Sequence, residues 1–216
     1  ASLSEKQRAR LEKVVEGRAG AAPSQAPIPK RPPAGPAVLS FAQERLWFLD
    51  RLQPESPLYN LPTALQLTGR MEVPVLARSL NEIVRRHEVL RTIFVTVDGE
   101  PRQVVSPARP VASPVVDLQG LPVARRPEEA RRLKVAELLR PFDLARGPLW
   151  RAAVLRLSGG EDGEHTILLT LHHIVSDGWS MGVLVREVAA LYTAFCRGQE
   201  PLLPALPVQY ADYALW

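Results

Sequence analysis

The 216-residue chain is predicted to fold as an α+β domain, with helices packed on a mixed β-sheet. Three observations carry that expectation. Residues 165–171 (HTILLTL) are apolar at nearly every position, as a strand covered on both faces requires. Soon after them, Met181, Leu184, Val185, Val188, Leu191, Tyr192 and Phe195 recur at helical spacing and define an amphipathic helix that ends near Gly198. Upstream, strand-like and helix-like segments alternate from residue 38 onward. A hydrophobic fraction of 46% is enough to bury a core.

The elements follow in chain order. Residues 1–17 read as a short helix, with Ser4 and Gln7 in a capping-box pattern and Leu11, Val14 and Val15 as a narrow apolar stripe. A docking element for an upstream protein and an inter-domain tether explain it equally well. Residues 18–37 are a Pro-rich linker, extended and semi-rigid, so the globular part is expected to start near Val38. Phe41, Arg45, Phe48 and Leu52 share one side of a helix that Ser40 can cap and Pro54 stops. Residues 62–68 read as a strand, and Pro74 opens a helix through Leu76, Leu80, Ile83, Val84 and His87. Residues 90–97 and 102–105 form a hairpin across Asp98-Gly99. A helix fits 127–139, strands fit 149–157 and 165–171, and residues 158–164 connect those strands. Residues 208–216 begin another helix that stops on Trp216 without a polar cap, as expected of a domain truncated inside its fold.

Composition excludes several function classes. No apolar stretch reaches the ~18–20 residues of a membrane helix, so no membrane partner is expected. The amino terminus is charged where a signal peptide is apolar. One cysteine, Cys196, rules out an internal disulfide framework and a Cys-based zinc site, and a reducing cytoplasm fits best. The net charge of +4 comes from arginines among acidic neighbours rather than a basic block interleaved with aromatics, so no nucleic-acid partner is expected.

The densest chemistry is His172-His173-Ile174-Val175-Ser176-Asp177-Gly178, between the apolar strand and the amphipathic helix. Strand-to-helix loops display functional side chains from a rigid scaffold. In an extended dipeptide two imidazoles point to opposite sides, so one can face a cleft while the other packs. Asp177 can anchor the loop through a cation, and Gly178 permits a close backbone approach or positive φ. From composition alone, two histidines at a strand end followed by an Asp N-cap are equally well packing residues. A metal site is disfavoured, because neighbouring side chains on opposite faces converge poorly on one ion. Lone His87 reads as partly buried packing, His165 as exposed, and Cys196 as an inert buried thiol. Trp47 and Trp216 read as core or lobe-interface residues.

Four separated motifs agree. Residues 39–49 (LSFAQERLWFL), 86–94 (RHEVLRTIF), 171–180 (LHHIVSDGWS) and 210–216 (YADYALW) resemble, in order and spacing, successive core motifs of the condensation domains of nonribosomal peptide synthetases. HHxxxDG is the signature of that acyltransferase superfamily. The resemblance implies the N-terminal lobe, residues 38–216, of a two-lobed chloramphenicol-acetyltransferase-like fold whose active site lies in a tunnel between lobes. The family's later motifs, belonging to the second lobe, are absent. The wording of LSFAQERLWFL, LYNLP and LHHIVSDGWS resembles members joining an L-configured donor to an L-configured acceptor.

The implied reaction is peptide bond formation: an acceptor aminoacyl amine attacks a donor acyl or peptidyl thioester. By resemblance, His173 faces the reacting groups and His172 is structural. Asp177 shapes the loop through an ion pair, with Arg91 as the expected partner, and Gly178 offers a backbone N–H. No cofactor is expected to be bound by the domain itself; phosphopantetheine arms of donor and acceptor peptidyl carrier domains tether the substrates, and the C-terminal lobe is the remaining partner. Two alternatives stand beside this reading. One is a freestanding acyltransferase of the same superfamily using coenzyme A thioesters. The other is a carrier-docking module without turnover, and the truncated chain alone is expected to be inactive.

Overall fold

The apolar run around residue 168 becomes β6 (Glu164–His172), an inner strand in the computed structural model, which describes residues 27–32 and 35–216. The helix expected over 1–17 lies outside the described residues. β6 is flanked on one side by β1 (Asn60–Thr68) and on the other by β5 (Trp150–Arg156), both antiparallel to it. Asn60 pairs with His172 and Trp150 with Leu171, so three strands meet at the histidine end. β4 (Val115–Asp117) adds to β5 in parallel, giving the order β1-β6-β5-β4. With neighbours on both sides, every residue of β6 after Glu164 is buried. His165 is therefore buried rather than exposed, its position being the second residue of a covered strand.

Helices cover both faces of the sheet. α1 is Phe41–Leu52, α2 Val73–Arg86, α3 Arg126–Leu139, α4 Gly178–Cys196 and α5 Tyr210–Leu215. Leu76, Leu80, Ile83 and Val84 of α2 and Met181, Leu184, Val188 and Leu191 of α4 pack on the face carrying Ile167, Leu169 and Leu171. Burying each of these large side chains contributes roughly 1.5–3 kcal/mol. Ala130 of α3 joins Leu118, Leu155 and Leu168 on the opposite face. Cys196 ends α4 beyond this core and is exposed, not buried. Trp216 is exposed as well, while Trp47 is half-buried beside Leu39, Phe94 and Leu144.

β2 (Thr92–Val97) and β3 (Glu100–Val105) form a separate hairpin. Asp98 and Gly99 take positive φ, 53° and 83°, as a two-residue turn matching strand twist requires. Ser40 and Gln43 cap α1 with a reciprocal capping box. The buried face of α1 differs from the expected stripe. Phe41 is 91% exposed, and Phe48 and Leu52 are also exposed, whereas Gln43 is 1% exposed. The capping box turns Gln43 inward, where its amide meets the Ile174 carbonyl at 3.5 Å.

The Pro-rich segment is not a free linker over its described part. Ala37 forms a bridge with Gln103, both N–H···O bonds being 2.9 Å, and Arg31 is ion-paired to Glu88 and Asp212. The body thus extends upstream of Val38.

Candidate functional site

Strand geometry separates the two histidines. His172 continues the face of β6 that carries Leu168, and its N–H bonds to the Leu149 carbonyl at 2.9 Å. The His173 N–H bonds on the other side, to the Tyr59 carbonyl at 2.8 Å. The chain then turns, with Val175 N–H on the His172 carbonyl at 3.0 Å, and enters α4.

The His172 ring is buried against Tyr59 and Phe142, with centroid distances of 6.2 Å to each. Its Nδ1 accepts from the Ile174 N–H at 3.1 Å. Burial, reinforced by the neighbouring His173 charge, pushes its pKa down to about 4. His172 is accordingly a neutral packing residue that braces the turn.

His173 is exposed, and its Nδ1 lies 2.9 Å from the Ser176 carbonyl oxygen. A carbonyl only accepts, so Nδ1 carries a proton, and the neutral tautomer consistent with this bond has its lone pair on Nε2. His173 stands on a cleft of ≈ 440 Å³ walled by Val89, Leu90, Val183, Leu184, Tyr210 and Tyr213. The walls are largely apolar, and a free imidazole nitrogen beside them can take or orient a proton on a bound substrate.

Asp177 does not pair with Arg91. It is the N-cap of α4, and its Oδ1 accepts from the Ser180 N–H and the Ser180 hydroxyl, both at 2.7 Å. These bonds, the side-chain one foremost, hold the Asp177 carboxyl below the usual carboxylate range. Arg91 sits at the end of a short helical turn, Glu88–Arg91, and is drawn elsewhere. Its Nη1 donates to the Ser106 carbonyl at 2.5 Å and its Nη2 lies 3.6 Å from Glu88. Asp177→Ala is therefore expected to cost about 1 kcal/mol, the usual loss of an N-cap, measured as a shift in denaturant midpoint at unchanged slope.

Gly178 opens α4 without positive φ, and an added Cβ would meet no atom within 4 Å. The expected backbone strain or close approach is absent within this chain. Gly178→Ala should leave folding stability within about 0.5 kcal/mol. A loss of turnover in a stable Gly178→Ala protein would then report crowding of substrate rather than misfolding.

His87 caps the end of α2, with its Nε2 2.6 Å from Glu187 of α4, and Arg86 Nε joins the same carboxylate at 3.1 Å. Tyr210 and Tyr213 are wall residues that the sequence motifs alone do not assign to the site. Their i, i+3 spacing is the available signal, since it sets both on one side of α5. Among the described residues, no three His, Cys, Asp or Glu side chains are grouped to hold a metal ion, and no helix is long and apolar enough to cross a membrane.

Known proteins are similar to this chain in sequence and in fold. A family model described as "Condensation domain" matches residues 34–216. A linear gramicidin synthase of Brevibacillus parabrevis is 48% identical over 178 residues, covering 82% of this chain and 3% of that protein. Phosphinothricin tripeptide synthetase PhsC of Streptomyces viridochromogenes is 45% identical over 218 residues, covering 100% of this chain and 20% of that protein. The starter condensation domain of rhizomide synthetase RzmA superposes with a TM-score of 0.73 at 28% identity, over 81% of this chain and 41% of that one. The first condensation domain of the calcium-dependent antibiotic synthetase, in complex with a substrate analogue, gives 0.73 at 29%, over 80% and 41%. The chain thus spans less than half of the solved domains and a small part of the curated relatives.

Proposed function

The chain belongs to the condensation-domain family, and we propose that it is the N-terminal lobe supplying the histidine for amide bond formation between two carrier-bound substrates. The observation that carries this reading is His173, with Nδ1 tied to the Ser176 carbonyl and Nε2 free at an apolar cleft. The acceptor amine attacks the donor thioester carbonyl. The C–N bond forms, the C–S bond breaks, and the proton leaving nitrogen ends on the departing thiolate. His173 Nε2 holds that proton in passage or orients the amine. Phosphopantetheine arms of donor and acceptor carrier domains present both substrates. The wording of the LSFAQERLWFL, LYNLP and LHHIVSDGWS segments supports an L-configured donor and acceptor.

Magnitudes apportion the work. A free α-amine has a pKa of about 7.7–8.0, so a usable fraction is neutral near pH 7. General base catalysis supplies about 3–5 kcal/mol, whereas holding two reactants in attack geometry supplies about 7–11. The cleft's larger task is positioning. Trp179, which lines that cleft, is 83% exposed, and this supports a cleft completed by the second lobe, without which the chain is expected not to turn over.

Single-turnover transfer by the complete domain tests the reading, with the donor offered on a carrier or as a soluble coenzyme A thioester. Transfer is expected from the carrier-bound donor. Transfer from coenzyme A alone would identify a freestanding acyltransferase, and carrier binding without transfer would identify a docking module.

A further inference from the structure

We infer that Arg31, in the segment ahead of the family match, is a positioning residue that holds the tyrosine-bearing wall of the cleft. Its guanidinium bridges two carboxylates from distant parts of the chain. Nη1 lies 3.0 Å from Asp212 Oδ1, and Nη2 lies 2.6 Å from Glu88 Oε2. The Arg31 backbone N–H also donates to Asp212 Oδ1 at 3.2 Å. The Arg31 side chain is only 14% exposed and that of Asp212 6%.

Each carboxylate belongs to the cleft's frame. Asp212 caps α5 by accepting the Gln209 N–H on Oδ2 at 2.8 Å, and α5 carries Tyr210 and Tyr213. Glu88 follows His87 and precedes the cleft residues Val89 and Leu90. Gln209 closes the circuit. Its Oε1 accepts the Glu88 N–H at 3.1 Å, and its Nε2 donates to the Arg86 carbonyl at 3.0 Å. Arg31 thereby neutralises two acids that the fold brings to one cation, and it joins the segment before the core to both walls.

Length makes the clasp decisive for α5. The helix has six residues, and isolated helices shorter than about 12–15 residues are marginal in water. Its place depends on tertiary ties, which include this network, the burial of Ala211 and the 3.0 Å contact of the Tyr210 hydroxyl with Ser40 Oγ. Without Arg31, Asp212 loses its ion-pair partner, Glu88 keeps only the 3.6 Å contact with Arg91, and the tyrosines lose that anchor. The segment read as a linker is thus a working part of the substrate cleft.

The kinetic arm of the test rests on the function proposed above; the exchange arm does not. In the complete domain, Arg31→Ala is expected to raise hydrogen exchange about tenfold or more at the bonded amides of Asp212, Tyr213 and Trp216, the scale of a lost charged hydrogen bond. β6 amides stay unchanged. In amide formation, the same variant raises KM for a substrate by a comparable factor while kcat holds, and Asp212→Asn repeats the pattern. Arg31→Lys, which keeps the charge, recovers part of both. Unchanged exchange in α5 overturns the inference. So does a fall in kcat at constant KM, which reports only a smaller folded fraction. Should Arg31→Ala not fold, Arg31→Lys and Asp212→Asn are judged by the same two readouts. If the wild type forms no amide, the proposed function fails, and exchange alone decides the role of Arg31.

Discussion

His173→Ala is expected to slow single-turnover amide formation by about 10²–10⁴-fold while leaving the fold intact. The side chain is exposed at the cleft, and its ring bond to the Ser176 carbonyl is local to the turn. Its backbone N–H on Tyr59 survives the substitution. Residual transfer should remain, because positioning by the cleft is independent of the imidazole and outweighs it. The decisive comparison is the single-turnover rate of variant and wild type on identical loaded carriers, with denaturant midpoints matched. A rate within threefold of wild type, an about 0.7 kcal/mol effect, would remove His173 from the chemistry.

The second large effect is acid sensitivity from His172. Its folded pKa lies at about 4, below the ~6.5 of an unfolded histidine. As pH falls from about 6.5, the unfolded chain takes up a proton that the folded one refuses, so stability drops. The loss levels off as pH falls through about 4, where the folded form also takes up its proton, and amounts to about 3 kcal/mol. Above pH 6.5 this contribution is fully present. Urea midpoints measured from pH 4 to 7 should therefore slope more steeply for wild type than for His172→Gln, which does not titrate. Parallel slopes would show that His172 does not carry the acid limb.

Much of this architecture is legible in the chain because local rules decide it. The Ser40 cap, the Asp98-Gly99 turn and the buried run through Leu168 and Leu169 follow from backbone preference and hydrophobic pattern. The opposite settings of His172 and His173 follow from the twofold period of a strand. What failed depends on which surfaces other segments cover. Helical spacing correctly groups Phe41, Phe48 and Leu52, but it cannot tell that the opposite side, with Gln43, meets the body. β4 has three residues, too few for a period to register, and exists through its parallel pairing with β5.

The site shows the same division. Asp177 finds its partner three residues on, in Ser180, which is the N-cap of the packing alternative and not the ion pair that the resemblance implied. Arg91 is claimed by Ser106 across the hairpin and by Glu88 within its own turn, a choice set by tertiary placement. Arg31 lies 181 residues from Asp212. Only folding brings that pair together.

The most direct test is intact-mass analysis of an acceptor carrier after incubation with a loaded donor carrier. The chain is supplied alone, or together with a second condensation lobe. The account predicts that the acceptor arm gains the donor acyl group only when both lobes are present, and that His173→Ala suppresses the gain over the same interval. Product from this chain alone, or equal product with His173→Ala, would contradict it.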